Sequence, residues 1–169
     1  MVMASSPEPR FACDAMLGGL ARWLRAAGYD AFWRQRIDDH ELIRLSQDDG
    51  RTLLSCDTKL FDYRLIRDEL LPALFVPLRL SPQEQLAYVL AKWNLPLGQP
   101  RCMACGGSLV EVPKDEVRDR VPTRTFAWLD RFWECDRCRR IFWHGTHWLR
   151  IKNELDAVAR ESSESRARS

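Results

Sequence analysis

Two closely spaced pairs of cysteines constrain the fold of this chain more than any other feature of its sequence. Cys102 and Cys105 form one CxxC pair, and Cys135 and Cys138 form the other, with residues 106–134 between them. Each pair presents two thiolates to one ion, and two pairs complete the tetrahedral four-sulfur shell that favours zinc. Because four sulfur ligands leave no position for a reactive water, we predict a structural zinc ribbon. The alternative is a set of buried or redox-active cysteines, although a redox site needs only one such pair.

The residues that follow the second pair indicate how a ribbon could contact a ligand. His144 and His147 lie close to the zinc site in sequence, but the four sulfurs suffice as ligands. We favour a hydrogen bond or a phosphate contact for these histidines, His147 above all, and a plain surface position is the alternative. Arg139 and Arg140, beside the second pair, are predicted to contact the phosphates of a nucleic acid.

Two strand-like segments, Leu109–Val112 and Thr125–Trp128, would form the arms of the ribbon. The same region is rich in aromatic side chains, which are Trp128, Trp133, Phe142, Trp143 and Trp148. Aromatic rings can stack on nucleic-acid bases. We expect most of these rings to fill the core of the ribbon instead.

The composition predicts a globular protein of a reducing compartment. Hydrophobic residues make up 46% of the chain, and no run approaches the roughly twenty apolar residues of a membrane-spanning helix. The opening residues lack the apolar core of a signal peptide. Cys13 and Cys56 lie within apolar runs, so bound metal fits the cysteines better than disulfides do. We therefore expect a cytoplasmic protein with no membrane partner.

The net charge of +2 is too small to indicate a nucleic-acid partner by itself. Residues 1–100 carry 12 Lys and Arg against 13 Asp and Glu, whereas residues 101–149 carry 9 against 7. An argument for nucleic-acid binding must therefore rest on where the charged side chains lie.

The first half of the chain alternates short apolar runs with helical patterns, which is typical of a parallel sheet covered by helices. Four strands are predicted, at Phe11–Cys13, Tyr29–Trp33, Thr52–Cys56 and Leu74–Val76. Four helices are predicted, after Leu17, between Asp38 and Gly50, across Leu60–Leu71 and across Pro82–Trp93. Asp38 and Glu41 have the spacing of a capping box at the start of the second helix.

Acidic residues follow three of the predicted strands. Asp14 comes directly after the first strand, Asp57 directly after the third, and Asp38 and Asp39 open the helix after the second. The carboxyl ends of parallel strands share one edge, where α/β sheets bind ligands. Carboxylates gathered there could hold Mg²⁺ or Mn²⁺ for phosphodiester cleavage. The alternative is a turn or helix-capping role, which is strongest for Asp38 because the capping box already explains it.

Basic side chains near the same predicted edge could contact the phosphates of a nucleic acid. They are Arg22, Arg25, Arg51, Lys59 and Arg64. A solvated helix face accounts for them equally well.

Several stretches taken together resemble the Mut-seven C-terminal RNase domain family. They are Phe11–Asp30, Ile37–Ile43, Gly50–Asp57, Arg101–Cys105 and Phe142–Trp148. The resemblance spans roughly residues 10–150. It implies a PIN-like nuclease fold with an appended zinc ribbon, acting on RNA with a divalent metal ion.

The family's acidic positions resemble Asp14, Asp39 and Asp57, with Asp38 as an adjacent candidate. The threonine that usually precedes the third acid is replaced here by Ser55-Cys56, which keeps a small hydroxyl group. The fourth acid of many PIN-like nucleases has no clear counterpart, and Asp62 is the candidate for it. Occupancy of a second metal site is therefore the weakest part of the resemblance.

We expect a disordered lead-in at residues 1–9, an α/β PIN-like domain at 10–97, a zinc ribbon at 98–150 and a helical or disordered tail at 151–169. The predicted function is that of a metal-dependent ribonuclease, cutting RNA internally or from an end. One alternative is a module that binds RNA or a ribosomal surface without cutting, which the missing fourth acid favours. The other is an adaptor that docks a protein partner through the ribbon and its tryptophans.

Overall fold

The structure is a computed structural model that describes residues 9–167, so nearly all of the predicted lead-in lies outside the described residues. The described residues form two lobes. We call residues 9–97 together with the C-terminal helix the α/β lobe, and residues 98–145 the ribbon lobe. None of the helices within residues 9–167 is long and apolar enough to cross a membrane.

A four-stranded parallel sheet forms the centre of the α/β lobe, which confirms the predicted fold class. Its strands are β1 (Phe11–Cys13), β2 (Ala31–Trp33), β3 (Thr52–Ser55) and β4 (Ala73–Phe75). The strand order is β2-β1-β3-β4, so β1 pairs with both β2 and β3. The carboxyl ends of these three neighbouring strands therefore lie side by side.

Helices cover both faces of this sheet because successive strand residues point to opposite faces. The helices are α1 (Gly18–Ala26), α2 (Asp39–Asp49), α3 (Arg64–Arg67) and α4 (Pro82–Trp93), with 3-10 turns at Ala15–Leu17 and Thr58–Asp62. Phe11 and Cys13 pack into the core that contains α1 and α4. Ala12, between them in sequence, packs into the core that contains α2 and α3.

The ribbon lobe is a three-stranded antiparallel sheet with a small core of its own. It consists of β5 (Leu109–Val112), β6 (Phe132–Cys135) and β7 (Ile141–Trp143), in the order β5-β6-β7, together with α5 (Thr123–Trp128). Val117, Val121 and Phe132 form its buried core, which Ile141 and Trp143 partly cover.

The chain then returns to the first lobe through a long helix, α6 (Thr146–Ala167), which packs against α4. Ile151, Leu155 and Val158 are buried in the same core as Leu86 and Val89. The segment predicted as a helical or disordered tail from residue 151 is helical as far as Ala167, and the side chain of Ser162 is buried. Apolar residues at helical spacing in α6 anchor the helix to α4.

Two segments differ from their predicted structure. Thr125–Trp128 was predicted as a strand but belongs to α5, which follows Pro122 and packs Phe126 against the ribbon core. Proline has its φ fixed near the helical value, so it readily precedes a short helix. The predicted helix across Leu60–Leu71 is instead a 3-10 turn followed by the single turn α3, because Tyr63 between them is extended (φ −61°, ψ 132°).

The start of α2 shows half of the predicted capping box. Asp38 accepts a hydrogen bond from the backbone N–H of Glu41 at 2.9 Å and caps the helix as predicted. The Glu41 carboxylate does not return to the backbone, since it forms an ion pair with Arg34. At α4 both halves are present, between Ser81 and Glu84.

Candidate functional site

The four cysteines of the two CxxC pairs come together in one cluster of the ribbon lobe. Their sulfur atoms all lie within 4.8 Å of one another, with Cys102 to Cys138 at 3.6 Å and Cys105 to Cys135 at 3.4 Å. Tetrahedral zinc with bonds of about 2.3 Å places its sulfurs about 3.8 Å apart. The cluster therefore has the ligand type and spacing that a zinc ion needs.

Backbone groups around the cysteines orient the sulfurs. The N–H of Gly107 lies 3.4 Å from the Cys105 Sγ, and the N–H of Cys138 lies 3.5 Å from the Cys135 Sγ. A side chain at Gly107 would approach the Cys135 Sγ to 2.6 Å, so only glycine fits here. Burial raises the pKa of the Cys102 thiol to about 12, and a bound zinc ion would displace that proton.

Arg25 of α1 connects the first cysteine pair to the α/β lobe. Its guanidinium donates hydrogen bonds to the carbonyls of Ala31, Met103 and Ala104, at 2.8 to 3.1 Å. The side chain is buried, and burial lowers the pKa of Arg25, although nearby thiols oppose this. Arg25 is therefore engaged with the backbone of the chain and does not face a ligand, contrary to the predicted phosphate contact.

A second candidate site lies at the carboxyl edge of the parallel sheet, where Asp14 follows β1. Its Oδ2 accepts hydrogen bonds from the Ser55 hydroxyl at 2.5 Å and from the backbone N–H of Cys56 at 2.8 Å. Its Oδ1 accepts from the N–H of Met16 at 2.9 Å. These bonds hold the buried carboxylate in place, and Oδ1 keeps capacity for a further ligand, because a carboxylate oxygen has two lone pairs.

Asp39 and Asp57 share this edge with Asp14, because they follow β2 and β3, the strands that flank β1. Burial raises the pKa of Asp39, and the charges of Asp57 and Asp14 raise it further. Among residues 9–167 the structure gives the Asp39 carboxylate no hydrogen-bond or ion-pair partner. The charges of the three residues therefore interact, although Asp14 follows β1, Asp39 opens α2 and Asp57 follows β3.

Asp57 also caps the 3-10 turn that follows it, since its Oδ1 accepts a hydrogen bond from the N–H of Lys59 at 2.9 Å. Asp38 is an exposed helix cap, and it contributes less to the pKa of Asp39 than Asp57 or Asp14 does. Asp62 ends the 3-10 turn, is exposed, and is not among the charges that most affect Asp39. Within residues 9–167 only the four cysteines are close enough to form a preassembled metal cluster.

Cys56 is a further neighbour of Asp14 at this edge. Its sulfur lies 3.6 Å from the Asp14 Oδ2. Burial, followed by the charge of Asp14, raises the pKa of Cys56 to about 11, so the thiol stays neutral and faces the carboxylate as a weak donor.

The predicted phosphate-binding residues fall into different places. Arg22 and Lys59 are exposed, and Arg64 is exposed but pairs with Asp68. Arg51 precedes β3 and lies at the opposite edge of the sheet, where it is buried against Asp30 and Asp49. The prediction that Arg51 shares the edge of Asp14 is therefore wrong, because Arg51 stands at the amino end of its strand.

The remaining predicted residues line an open groove between the α/β lobe and the ribbon lobe. Arg139, Arg140 and His147 all border it. Arg139 forms an ion pair with Glu134 at 2.6 Å, while Arg140 and His147 are exposed. His144 also borders the groove, stacked between Trp133 and Trp148 with ring centroids 4.3 and 5.4 Å away.

A family comparison accounts for both sites together. The sequence model described as the Mut7-C RNAse domain matches residues 9–155. The chain belongs to the Mut7-C RNAse domain family. The Mut7-C match runs through the parallel sheet, the acidic edge, the four cysteines and the start of α6, and it points to a nuclease-type function. Neither the curated proteins nor the solved structures contain a match to this Mut7-C chain.

Sequence reasoning did not find all of the residues that build this Mut7-C site. Trp33, the last residue of β2, donates its indole N–H to the Ala15 carbonyl at 3.1 Å and so supports the turn after Asp14. Gly18 permits this approach, because a Cβ there would lie 2.8 Å from the Trp33 ring. The Gly18-Gly19 pair at the start of a helix was the available signal, since glycine there lowers helix propensity and needs a packing reason.

Proposed function

We propose that this protein is a metal-dependent ribonuclease whose phosphodiester chemistry takes place beside Asp14, Asp39 and Asp57. The observation that carries the proposal is the placement of these three carboxylates after the carboxyl ends of three neighbouring parallel strands, where burial and the charges of Asp57 and Asp14 raise the pKa of Asp39. Three acids that repel one another favour a divalent cation, which relieves that repulsion. Together with the family's nuclease-type description, this makes RNA hydrolysis the function that the acidic edge supports best.

The residues at this edge fit Mg²⁺ or Mn²⁺, because both ions prefer carboxylate oxygens. Asp39 would supply a carboxylate that has no competing partner, and Asp57 would supply its Oδ2, since its Oδ1 already accepts from Lys59. Asp14 would supply Oδ1, with Ser55 and Cys56 holding its other oxygen. A bound divalent ion would lower the pKa of an attacking water and polarise the scissile phosphate.

The ribbon supports a separate, structural proposal. The four-sulfur cluster would hold one zinc ion, which stabilises the ribbon lobe and takes no part in hydrolysis. Arg25 donates hydrogen bonds to the carbonyls of Met103 and Ala104, which lie between Cys102 and Cys105. A zinc ion bound by these cysteines would therefore also fix the ribbon relative to α1.

The test of the nuclease is the variant Asp57→Asn. Asparagine keeps the shape of the side chain and can still cap the 3-10 turn, but it removes the charge that would hold a hard cation. We expect RNA cleavage to fall by roughly a hundredfold or more with the melting temperature nearly unchanged, since one positioned metal ion contributes several kcal/mol to such a reaction. Cleavage of a labelled RNA is measured with and without added Mg²⁺ or Mn²⁺.

The matched control is Asp48→Asn, which makes the same change at an exposed position near the other end of α2. It should cleave as the wild type does. A strong chelator is avoided, because it would also compete for the zinc of the ribbon. If Asp57→Asn cleaves as fast as the control, the catalytic assignment is wrong; if the wild type binds RNA without ever cutting it, the non-catalytic binding module replaces the nuclease.

A further inference from the structure

The groove between the two lobes carries more positive than negative charge. Among the described residues that line it, four basic side chains are exposed and have no hydrogen-bond or ion-pair partner in the structure; they are Arg22, Arg124, Arg140 and Lys152. Asp156 is the one acidic residue in the described lining. A groove with this charge imbalance is complementary to a polyanion.

The aromatic side chains of the groove are placed to meet planar groups. Trp128, at the end of α5, is 79% exposed although tryptophan is normally among the more buried residues. Farther along, Trp133, His144 and Trp148 form a continuous stack of three rings. Most of these rings were predicted to fill the ribbon core, but among residues 9–167 only Trp143 of them packs against it, and Trp128 packs into none of the buried clusters.

The groove also leads toward the acidic edge. Ala15 and Met16, which directly follow Asp14, line its wall on the side of the α/β lobe. Met16 donates its N–H to Asp14, and Trp33, another lining residue, binds the Ala15 carbonyl. A polymer lying in the groove would therefore pass next to the turn that holds Asp14.

We propose that this groove binds single-stranded RNA, with Trp128 stacking on an unpaired base and the four free basic side chains contacting phosphates. The proposal deepens the proposed ribonuclease function and rests on it for the choice of RNA. Bases in a duplex have their faces occupied by stacking, so an exposed tryptophan favours a strand whose bases are free. The groove then selects single strands before the acidic edge acts on them.

The test measures binding in the Asp57→Asn background, without added Mg²⁺ or Mn²⁺, so that cleavage cannot interfere and the zinc stays in place. A labelled 12-nucleotide RNA without secondary structure is compared with a blunt duplex of the same length by fluorescence anisotropy. We expect the single strand to bind at least about tenfold more tightly, because only it offers free base faces to the groove.

Trp128→Ala should weaken binding of the single strand by about fivefold or more and leave binding of the duplex nearly unchanged. The control is Tyr88→Ala, which removes a 40% exposed aromatic ring from α4 outside the groove. Arg140→Ala and Arg124→Ala should each lower the slope of log K against log salt by about 0.7, the value for one phosphate of a single strand. The control Arg44→Ala, at an exposed position of α2 outside the groove, should leave this slope unchanged.

Equal affinity for duplex and single strand, or a Trp128→Ala variant that binds like Tyr88→Ala, would overturn the proposal. Failure to bind either RNA would also overturn it and would favour a protein partner for the groove. Absence of cleavage in the wild type would remove the ribonuclease function but not the groove, because the binding measurement does not depend on catalysis.

Discussion

The environment of the Asp39 carboxylate disfavours its negative charge. Its pKa is raised by burial and then by Asp57 and Asp14, so the folded protein holds its proton to a higher pH than the unfolded chain does. Stability therefore falls as the pH rises from the ordinary Asp value of 3.8 through the raised pKa. At neutral pH the ionised group destabilises the metal-free protein slightly, which is the opposite of a salt-bridged aspartate.

Because the charge of Asp39 destabilises the metal-free protein, removing it in Asp39→Asn should not lower the stability. Without added divalent ions the variant should melt at or slightly above the wild-type temperature, by no more than about 2 °C, because a partly exposed charge contributes little. Added Mn²⁺ should raise the melting temperature of the wild type and fail to raise that of the variant. Thermal unfolding at pH 7.5 with and without Mn²⁺ measures both effects.

Asp48→Asn again serves as the control and should respond to Mn²⁺ as the wild type does. An Asp39→Asn protein that melts well below the wild type would show that the carboxylate has a stabilising partner. An undiminished response to Mn²⁺ would place the cation elsewhere on the molecule.

The positions of the candidate metal ligands could be predicted from the sequence. Strand ends placed Asp14, Asp57 and the pair Asp38 and Asp39 at one edge, the family resemblance favoured Asp39 of that pair, and spacing brought the cysteine pairs together. The burial and contacts of the arginines were harder to predict, because the sequence alone does not distinguish an exposed arginine from a buried one. Arg25 lies on a helix whose face could have been solvated, and only the fold shows that carbonyls of another lobe surround it.

At the scale of elements, the contact between α1 and the turn from Cys102 to Cys105 depends on Arg25. One planar guanidinium satisfies three carbonyls, from Ala31, Met103 and Ala104, and the Arg25 carbonyl accepts from the N–H of Arg101. Gly106 lies against the same side chain, since a Cβ there would be 3.3 Å from the Arg25 Nε. One set of hydrogen bonds around Arg25 therefore joins α1 to the turn from Cys102 to Cys105.

We predict that Arg25→Lys lowers the free energy of unfolding by about 2–3 kcal/mol, because an ammonium group cannot satisfy three carbonyls spread around a planar fork. In a chain of 169 residues this corresponds to a melting temperature lower by roughly 4–12 °C. The control is Arg22→Lys, an exposed change on the same helix, which should have little effect. Differential scanning calorimetry of both variants decides the matter, and equal melting temperatures would refute the role of Arg25.

Prediction of elements from the sequence succeeded where side-chain period, caps and spacing agree. The strand β1 and the helix α4 have the predicted bounds, and Ser81 with Pro82 fixes where α4 begins. The strand predicted at Thr125–Trp128 was wrong, because the side-chain period of a four-residue run cannot distinguish a strand from a helical turn. The position of α6 against α4 could not be predicted, since packing partners distant in sequence leave no local signal.

At the scale of the whole molecule, the ribbon is joined to the α/β lobe at both of its ends. It leaves after α4 and returns through α6, and these two helices pack on each other. Gly98 donates its N–H to the Ala27 carbonyl at the first junction, and Gly28, with φ of +103°, leaves room for that crossing. Unfolding of the ribbon lobe should therefore also destabilise the α/β lobe.

Cys135→Ser tests this connection. Cys135 is buried and contacts Cys105, so its loss should abolish binding of one zinc ion per chain. We expect a melting temperature lower by roughly 5 °C or more, because structural zinc contributes directly to folding. The matched control is Cys56→Ser, a change outside the cluster that should keep the zinc. Zinc content by elemental analysis and the thermal transition measure the result, and a folded wild type with no zinc would contradict it.

The position of α6 in the core has a consequence for how the chain folds as it is synthesised. The core that begins with Phe11 includes Ile151, Leu155 and Val158, which emerge from the ribosome only after the whole ribbon has been made. The first lobe cannot complete its packing before that, even though its sheet is among the first parts to be synthesised. All four cysteines are therefore synthesised before the sheet lobe can close, so a zinc ion could bind them while that lobe is still open.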